Sequence, residues 1–152
     1  MVLNTASAII SFYSKLEDRI AKFYEDQALN DKCSEVRETF LAFAEEGRKH
    51  RDAVLRAYRE VITDAIETGF SFSGLQESDY EINTELMDDL SFFDILKKAI
   101  DVEEKSYKFC TDVSESSRAL LADITHAFGW VANRKAKRKL ILESLLDEQK
   151  NV

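Results

Sequence analysis

The chain contains Ala99-Ile100-Asp101-Val102-Glu103-Glu104-Lys105-Ser106-Tyr107 and, nearer its start, the similar segment Leu16-Glu17-Asp18-Arg19-Ile20-Ala21-Lys22-Phe23-Tyr24. The two segments align on a central glutamate. Glu17 is followed 33 positions later by His50, and Glu103 is followed 35 positions later by Arg138. Repetition at a period of this size is the sequence signature of a duplicated structural unit. We therefore interpret the chain as two copies of a helical hairpin.

Proline is absent from the sequence, and only four glycines occur. Because proline interrupts helices and both residue types are common in loops, their scarcity predicts long helices with few connections. We expect an all-α protein. The predicted helices cover about residues 6–29, 33–67, 92–113 and 117–149.

The connections differ in length. Short links at Asn30-Asp31 and at residues 114–116 predict antiparallel hairpins, whereas the segment before Ser91 loses helical periodicity and contains two of the four glycines. Ser91 followed three residues later by Asp94 indicates a capping box that opens the third helix. We predict one domain over residues 1–152, with hairpin 1 at about 6–67, a crossover at about 68–91 and hairpin 2 at about 92–149.

Composition limits the functional classes. The 152 residues are 45% hydrophobic and 33% charged, which is the balance of a soluble single-domain protein. No apolar run reaches the roughly 18 residues that span a bilayer, and no signal sequence is recognisable, so we expect a cytoplasmic protein without membrane contact. The net charge of −8 opposes nucleic-acid binding despite the basic residues 134–139. Two cysteines, Cys33 and Cys110, are too few for a disulfide scaffold.

Heptad spacing predicts a buried face on each helix, and polar residues or a glycine interrupt every face near its middle. Buried charges are costly unless they are paired, coordinated or neutralised. The predicted faces are Ile10, Tyr13, Glu17, Ile20 and Tyr24; Val36, Phe40, Phe43, Gly47, His50 and Val54; Leu96, Ile100, Glu103, Tyr107 and Cys110; and Phe128, Val131, Lys135, Arg138 and Leu142.

The two inward glutamates, together with Ala44-Glu45-Glu46 before His50, give the whole chain a resemblance to the rubrerythrin branch of the ferritin-like superfamily. The resemblance implies a ferritin-like antiparallel four-helix bundle of two hairpins joined by a long crossover, and a homodimer. In that family each hairpin supplies one glutamate and a Glu-x-x-His motif to two irons. Glu17 and Glu103 match the two glutamates, and His50 matches the first histidine.

The remaining ligand positions depart from the family pattern. Gly47 stands at one glutamate position, and Lys135 and Arg138 stand at the glutamate and histidine of the second hairpin. Protonated lysine and arginine have no lone pair for a metal. We therefore expect no resident cofactor and predict a buried ion-pair cluster of Glu17, Glu103, Lys135 and Arg138. The alternative is that helix 4 is rotated and turns both cations to solvent.

A metal site with fewer ligands than the family's is a second interpretation. Glu46 and His50 are spaced i, i+4 on one helix, and Glu17 approaches from its neighbour. The corresponding function is an oxidoreductase that binds iron or another divalent metal through Glu17, Glu46, His50, Glu103 and nearby Glu104. The contrasting function is that of a structural or binding protein. The sequence does not identify its partner, which is a protein or a small molecule.

Overall fold

The structure, a computed structural model, describes residues 2–61, 75–85, 90–117 and 122–150. These ranges contain four α-helices: α1 (Ala6–Ala28), α2 (Arg37–Val61), α3 (Phe92–Ser117) and α4 (Ala122–Lys150). Two short 3₁₀ segments, Asp31–Val36 and Glu77–Tyr80, and two two-residue strands, β1 (Val2–Leu3) and β2 (Leu75–Gln76), complete the described elements.

Side chains near the helix ends satisfy free backbone donors. The Thr5 hydroxyl accepts a hydrogen bond from the Ala8 amide at 3.1 Å and caps α1. Before α3, the Ser91 hydroxyl accepts from the Asp94 amide at 3.2 Å and lies 2.9 Å from the Asp94 carboxylate. The predicted helix start at this serine is confirmed.

The helix bounds differ from the prediction at two places, and a third part of the prediction is not described. Residues 33–36 belong to the 3₁₀ segment rather than to α2, and predicted helical residues 62–67 lie outside the described residues. The predicted link at residues 114–116 is wrong, because α3 continues to Ser117. The Ser114 hydroxyl donates to the Thr125 carbonyl at 3.1 Å, so this serine joins α3 to α4.

The helices pack as two antiparallel pairs. α1 lies along α2 and α3 lies along α4, and α2 also packs against α4. The order of the contacts shows the antiparallel directions. Arg138 meets Glu103 and Thr125 meets Ser114 between α3 and α4, and Arg48 meets Glu25 and Arg51 meets Asp18 between α1 and α2. An all-α helical arrangement is thus confirmed, with a strand pair as its small β component.

Most of the predicted buried positions are buried. Tyr107 is an exception: 40% of its surface is exposed, and the preceding Ser106 is buried instead. The inward face of α3 therefore runs from Glu103 through Ser106 to Cys110. Ile100 is only partly buried at the edge of this face.

The described part of the crossover lies against α1 and α3. β2 pairs with β1 in an antiparallel register, and the buried Tyr80 donates from its hydroxyl to Asp112 at 2.7 Å. Two cationic side chains donate to its backbone, Arg19 to the Ile82 carbonyl at 2.7 Å and Lys105 to the Glu81 carbonyl at 2.9 Å. Residues 68–74 and 86–89 of the predicted crossover lie outside the described residues.

Within the described ranges, no helix combines the length and the apolar character that crossing a membrane requires.

Candidate functional site

Four charged side chains meet in the interior, one from α1, one from α3 and two from α4. The Lys135 ammonium lies 2.7 Å from Glu17 Oε1 and 3.8 Å from Glu103 Oε2. Arg138 Nη1 lies 3.2 Å from Glu103 Oε1. None of the four residues is more than 2% exposed. We call this group the central cluster.

Helical spacing brings both cations to the interior. Lys135 and Arg138 are three positions apart on α4 and share a face with Val131 and Leu142, which are completely buried. The rotated arrangement of helix 4, with both cations in solvent, is therefore not the one that the structure has.

Arg138 divides the hydrogen bonds of its guanidinium between two partners. Nη1 donates to Glu103, and Nη2 donates to the backbone carbonyl of Phe43 on α2 at 2.6 Å. The guanidinium carbon also lies 4.8 Å from the centre of the Phe43 ring. Arg138 thus connects α4 to α3 and α2, rather than gripping one carboxylate with both amino groups.

Glu103 has a further partner that sequence reasoning missed. The Tyr24 hydroxyl donates to Glu103 Oε1 at 2.8 Å. Burial, followed by the charge of Glu103, raises the pKa of Tyr24 well above its ordinary value. The phenol therefore remains a hydrogen-bond donor at neutral pH. The spacing of Tyr24 and Glu17 on one helical face indicated that Tyr24 points inward. It did not indicate that its hydrogen-bond partner is Glu103 on α3.

Glu17 is the less well compensated acid. Its burial raises the pKa above the ordinary value of 4.5, although the nearby Lys135 acts in the opposite direction. Oε2 of this carboxylate has no hydrogen-bond partner among the described residues. A β-carbon built at Gly47 would lie 3.0 Å from that same oxygen. Glycine at position 47 therefore leaves room for the Glu17 carboxylate.

His50 and Glu46 form a second polar group beside the central cluster. His50 Nε2 lies 3.1 Å from Glu46 Oε1, and the Arg134 Nε donates to the same oxygen at 2.8 Å. Burial and then the charges of Lys135 and Arg138 lower the pKa of His50 to about 3. The imidazole is therefore neutral at physiological pH.

Glu46 keeps its charge. Burial alone raises the pKa of a carboxyl, but here the hydrogen bond from Arg134 and the charge of Arg138 more than offset it and hold the pKa of Glu46 below its ordinary value. Glu46 is thus a carboxylate that already has cationic partners.

In the structure the acids of the predicted metal site are engaged with cationic or imidazole side chains. Glu46 lies beside His50, whereas Glu17 and Glu103 face the cations, and Glu104 pairs with Lys139 at 2.8 Å on the surface. Among the described residues, no group of three or more histidine, cysteine, aspartate or glutamate side chains is placed to hold a metal ion.

The residues present do not fit a two-metal centre of the family type. The ammonium of Lys135 lies between the two glutamates, and a protonated amine cannot donate a lone pair. Gly47 contributes no ligand. The cysteines add none either, because both are buried free thiols, and burial raises the pKa of Cys33 to about 11.

Comparison with protein-family models, with curated proteins and with solved structures gives no match for this chain.

Proposed function

We propose that the chain is a ferritin-like bundle of rubrerythrin type in which the central cluster replaces a two-metal centre, and that it serves as a structural or binding protein. The supporting observation is the position of Lys135, whose buried ammonium lies between Glu17 and Glu103. The family resemblance of the sequence adds the ferritin-like topology and a homodimer to this proposal, and the cytoplasmic location expected from the sequence is part of it.

Charge balance is the physical basis of the replacement. In the family, four glutamates balance two ferrous ions; here two glutamates balance one lysine and one arginine. Such a cluster need not add much stability over an apolar core, because desolvation offsets most of the attraction between buried charges. Its effect is to compensate acids that would otherwise be buried alone, and to fix α1, α3 and α4 against one another.

Electrostatics also favours the metal-free function over the oxidoreductase. The charges of Lys135 and Arg138, after burial, are what lower the pKa of His50. The same positive charges oppose a divalent cation at Glu46 and His50, because both effects follow from Coulomb repulsion at short range. A single carboxylate and a single imidazole are also fewer ligands than a tight mononuclear site normally has.

The test begins with the wild-type protein produced in iron-rich medium. We expect less than about 0.1 metal ion per chain by elemental analysis, and no heat when the protein is titrated calorimetrically with Fe²⁺, Zn²⁺ or Mn²⁺ at micromolar concentration. Saturable binding of one or two equivalents would overturn the proposal and favour the oxidoreductase.

A variant restores the family ligands by Gly47→Glu, Lys135→Glu and Arg138→His. Without metal it carries four neighbouring carboxylates and should be much less stable than the wild type. Added Fe²⁺ or Mn²⁺ should raise its melting temperature, because ligands that bind only the folded state stabilise it. A matched variant with Gly47→Glu alone should show no metal-dependent shift. Failure of metal to stabilise the triple variant, when it folds, would remove the argument that this is a former metal site.

A further inference from the structure

A surface groove of about 410 Å³ lies between α2 and α4, next to the central cluster but outside it. Its lining includes His50 and Glu46 from α2, and Trp130 and Arg134 from α4. Grooves of this size, with a few polar groups beside an aromatic surface, are typical of small-molecule sites. Three features of the lining define which chemistry it can recognise.

The first feature is an imidazole that makes no hydrogen bond with the described residues. His50 is 1% exposed, and neither ring nitrogen makes a hydrogen bond with a described residue, although Nε2 lies close to Glu46. Buried polar groups are nearly always paired, so one without a partner calls for an explanation. A neutral imidazole offers one donor and one acceptor to a ligand.

The second feature is an aromatic wall. Trp130 is the only tryptophan of the chain and is 49% exposed on α4. Its ring meets the His50 ring in an edge-to-face contact, with centroids 5.0 Å apart and planes at 81°. The half-exposed indole also borders a second groove of about 550 Å³, so ring surface is open to solvent. Such a surface favours a flat aromatic ligand.

The third feature is a guanidinium that is only partly used. Arg134 contacts Glu46 through Nε, and its side chain is 42% exposed. Within the part of the chain that the structure describes, its two terminal amino groups have no partner. A guanidinium edge binds a carboxylate through two parallel hydrogen bonds.

The acidic side chains of the groove do not favour binding of a cation, because they already have cationic partners. Glu46 is paired with Arg134 at 2.8 Å, and Glu45 with Lys49 at 3.3 Å. Arg138 Nη2 also lies 4.0 Å from Glu46 Oε2, and the charges of the buried Lys135 and Arg138 act on His50. An anion is therefore the better match to the charges that are free.

We propose that this groove binds a small aromatic carboxylate, with its ring against Trp130, its carboxylate on Arg134, and a ring substituent or water-mediated contact on His50. The site lies outside the central cluster and has the same lining whether or not that cluster replaces a metal centre. Its test is therefore separate from that of the proposed function.

Calorimetric titration of the wild-type protein with benzoate is the direct experiment. We expect a dissociation constant on the order of 1 mM, at least about tenfold tighter than for acetate, benzyl alcohol or benzylamine, each of which lacks one recognised feature. Benzoate should also change the fluorescence of Trp130, the single indole. Equal affinity for benzoate and acetate, or tightest binding of benzylamine, would overturn the assignment.

Variants assign the contacts. Arg134→Gln should weaken benzoate binding about tenfold. Arg134→Lys should retain part of the affinity, because lysine keeps the positive charge but cannot form the two parallel hydrogen bonds of a guanidinium. Trp130→Leu should weaken binding about fivefold. Lys137→Gln removes an exposed cation of the same helix that does not line the groove, and should change the affinity less than twofold. Equal effects of Arg134→Gln and Lys137→Gln would mean that only overall charge matters, and would refute the site. If Trp130→Leu does not fold, the two Arg134 variants decide.

Discussion

Replacing Lys135 by methionine removes the ammonium and keeps most of the side-chain volume. The substitution takes away the cation that lies 2.7 Å from Glu17 and 3.8 Å from Glu103. Glu103 retains Arg138 and Tyr24, whereas Glu17, 1% exposed, is left with no ion pair to another described residue. Breaking a buried ion pair by removing one partner typically costs about 3–5 kcal/mol of folding free energy.

Protonation of Glu17 sets a limit to that cost. The ordinary pKa of the glutamate carboxyl is 4.5. Protonating such a group at pH 7 costs about 3.4 kcal/mol, since each pH unit above the pKa corresponds to about 1.36 kcal/mol. At pH 5 the same step costs only about 0.7 kcal/mol. Lys135→Met should therefore lower the free energy of unfolding by about 3 kcal/mol at pH 7 and by less than about 1 kcal/mol at pH 5.

The direction of this pH dependence follows from the raised pKa of Glu17. Burial raises this pKa in the wild type already, and loss of Lys135 raises it further. A carboxyl that holds its proton more tightly in the folded state favours folding at low pH. This contribution is lost as the pH rises above the unfolded pKa, through the folded value. The variant should thus approach wild-type stability as the solution becomes acidic.

Urea denaturation followed by circular dichroism at pH 5 and pH 7 measures these differences. In the double variant Lys135→Met/Glu17→Gln the uncompensated acid is gone, so most of the stability at pH 7 should return. Lys137→Met, at an exposed position of the same helix, should change stability by less than about 0.5 kcal/mol. A loss for Lys135→Met below about 1 kcal/mol at pH 7, or the same loss at both pH values, would refute the role of Lys135 in compensating Glu17.

Three further predictions concern neighbours of the central cluster. Gly47→Ala should destabilise the protein by about 1 kcal/mol despite the better helix propensity of alanine, because the new β-carbon would lie 3.0 Å from Glu17 Oε2. The control Gly129→Ala places its β-carbon 3.4 Å from the nearest neighbour and should be neutral or stabilising. Urea denaturation midpoints distinguish the two variants. The His50 ring, with its pKa lowered to about 3, should show no NMR titration between pH 5 and 8. Its contribution to stability should be complete above about pH 6.5 and fall as the pH drops toward 3. A change of its chemical shift centred near pH 6.5 would contradict its burial among cations. Tyr24→Phe should cost about 1.5–3 kcal/mol, because it removes the 2.8 Å hydrogen bond to a buried carboxylate, and an unchanged melting temperature would show that this bond is unimportant.

The sequence was sufficient to predict four helices and the residues of the central cluster. Helical spacing placed Glu17, Glu103 and the two cations of α4 on inward faces, and the cost of unpaired buried charge predicted that they meet. It did not predict that Arg138 shares its guanidinium with the Phe43 carbonyl. Backbone acceptors carry no residue-specific signal, so such contacts depend on the packed positions of the helices.

The other errors have similar causes. Tyr107 lies about 100° around the helix from the buried Ser106, on the side of Glu103 that faces away from the buried Val102, and this places it at the surface. Ser114-Glu115-Ser116 resembled a turn because serine disfavours helix interiors, yet the Ser114 hydroxyl donates a hydrogen bond to the Thr125 carbonyl of the neighbouring helix. The pairing of Glu46 with Arg134 joins two helices and was not readable from spacing along either one.

A crystal structure of protein grown with excess iron, with anomalous diffraction recorded at the iron edge, tests the replacement of metal by cations most directly. We expect the Lys135 ammonium within hydrogen-bonding distance of Glu17 and no anomalous peak between Glu17 and Glu103. An anomalous peak between those carboxylates, with the Lys135 side chain turned away from them, would contradict it.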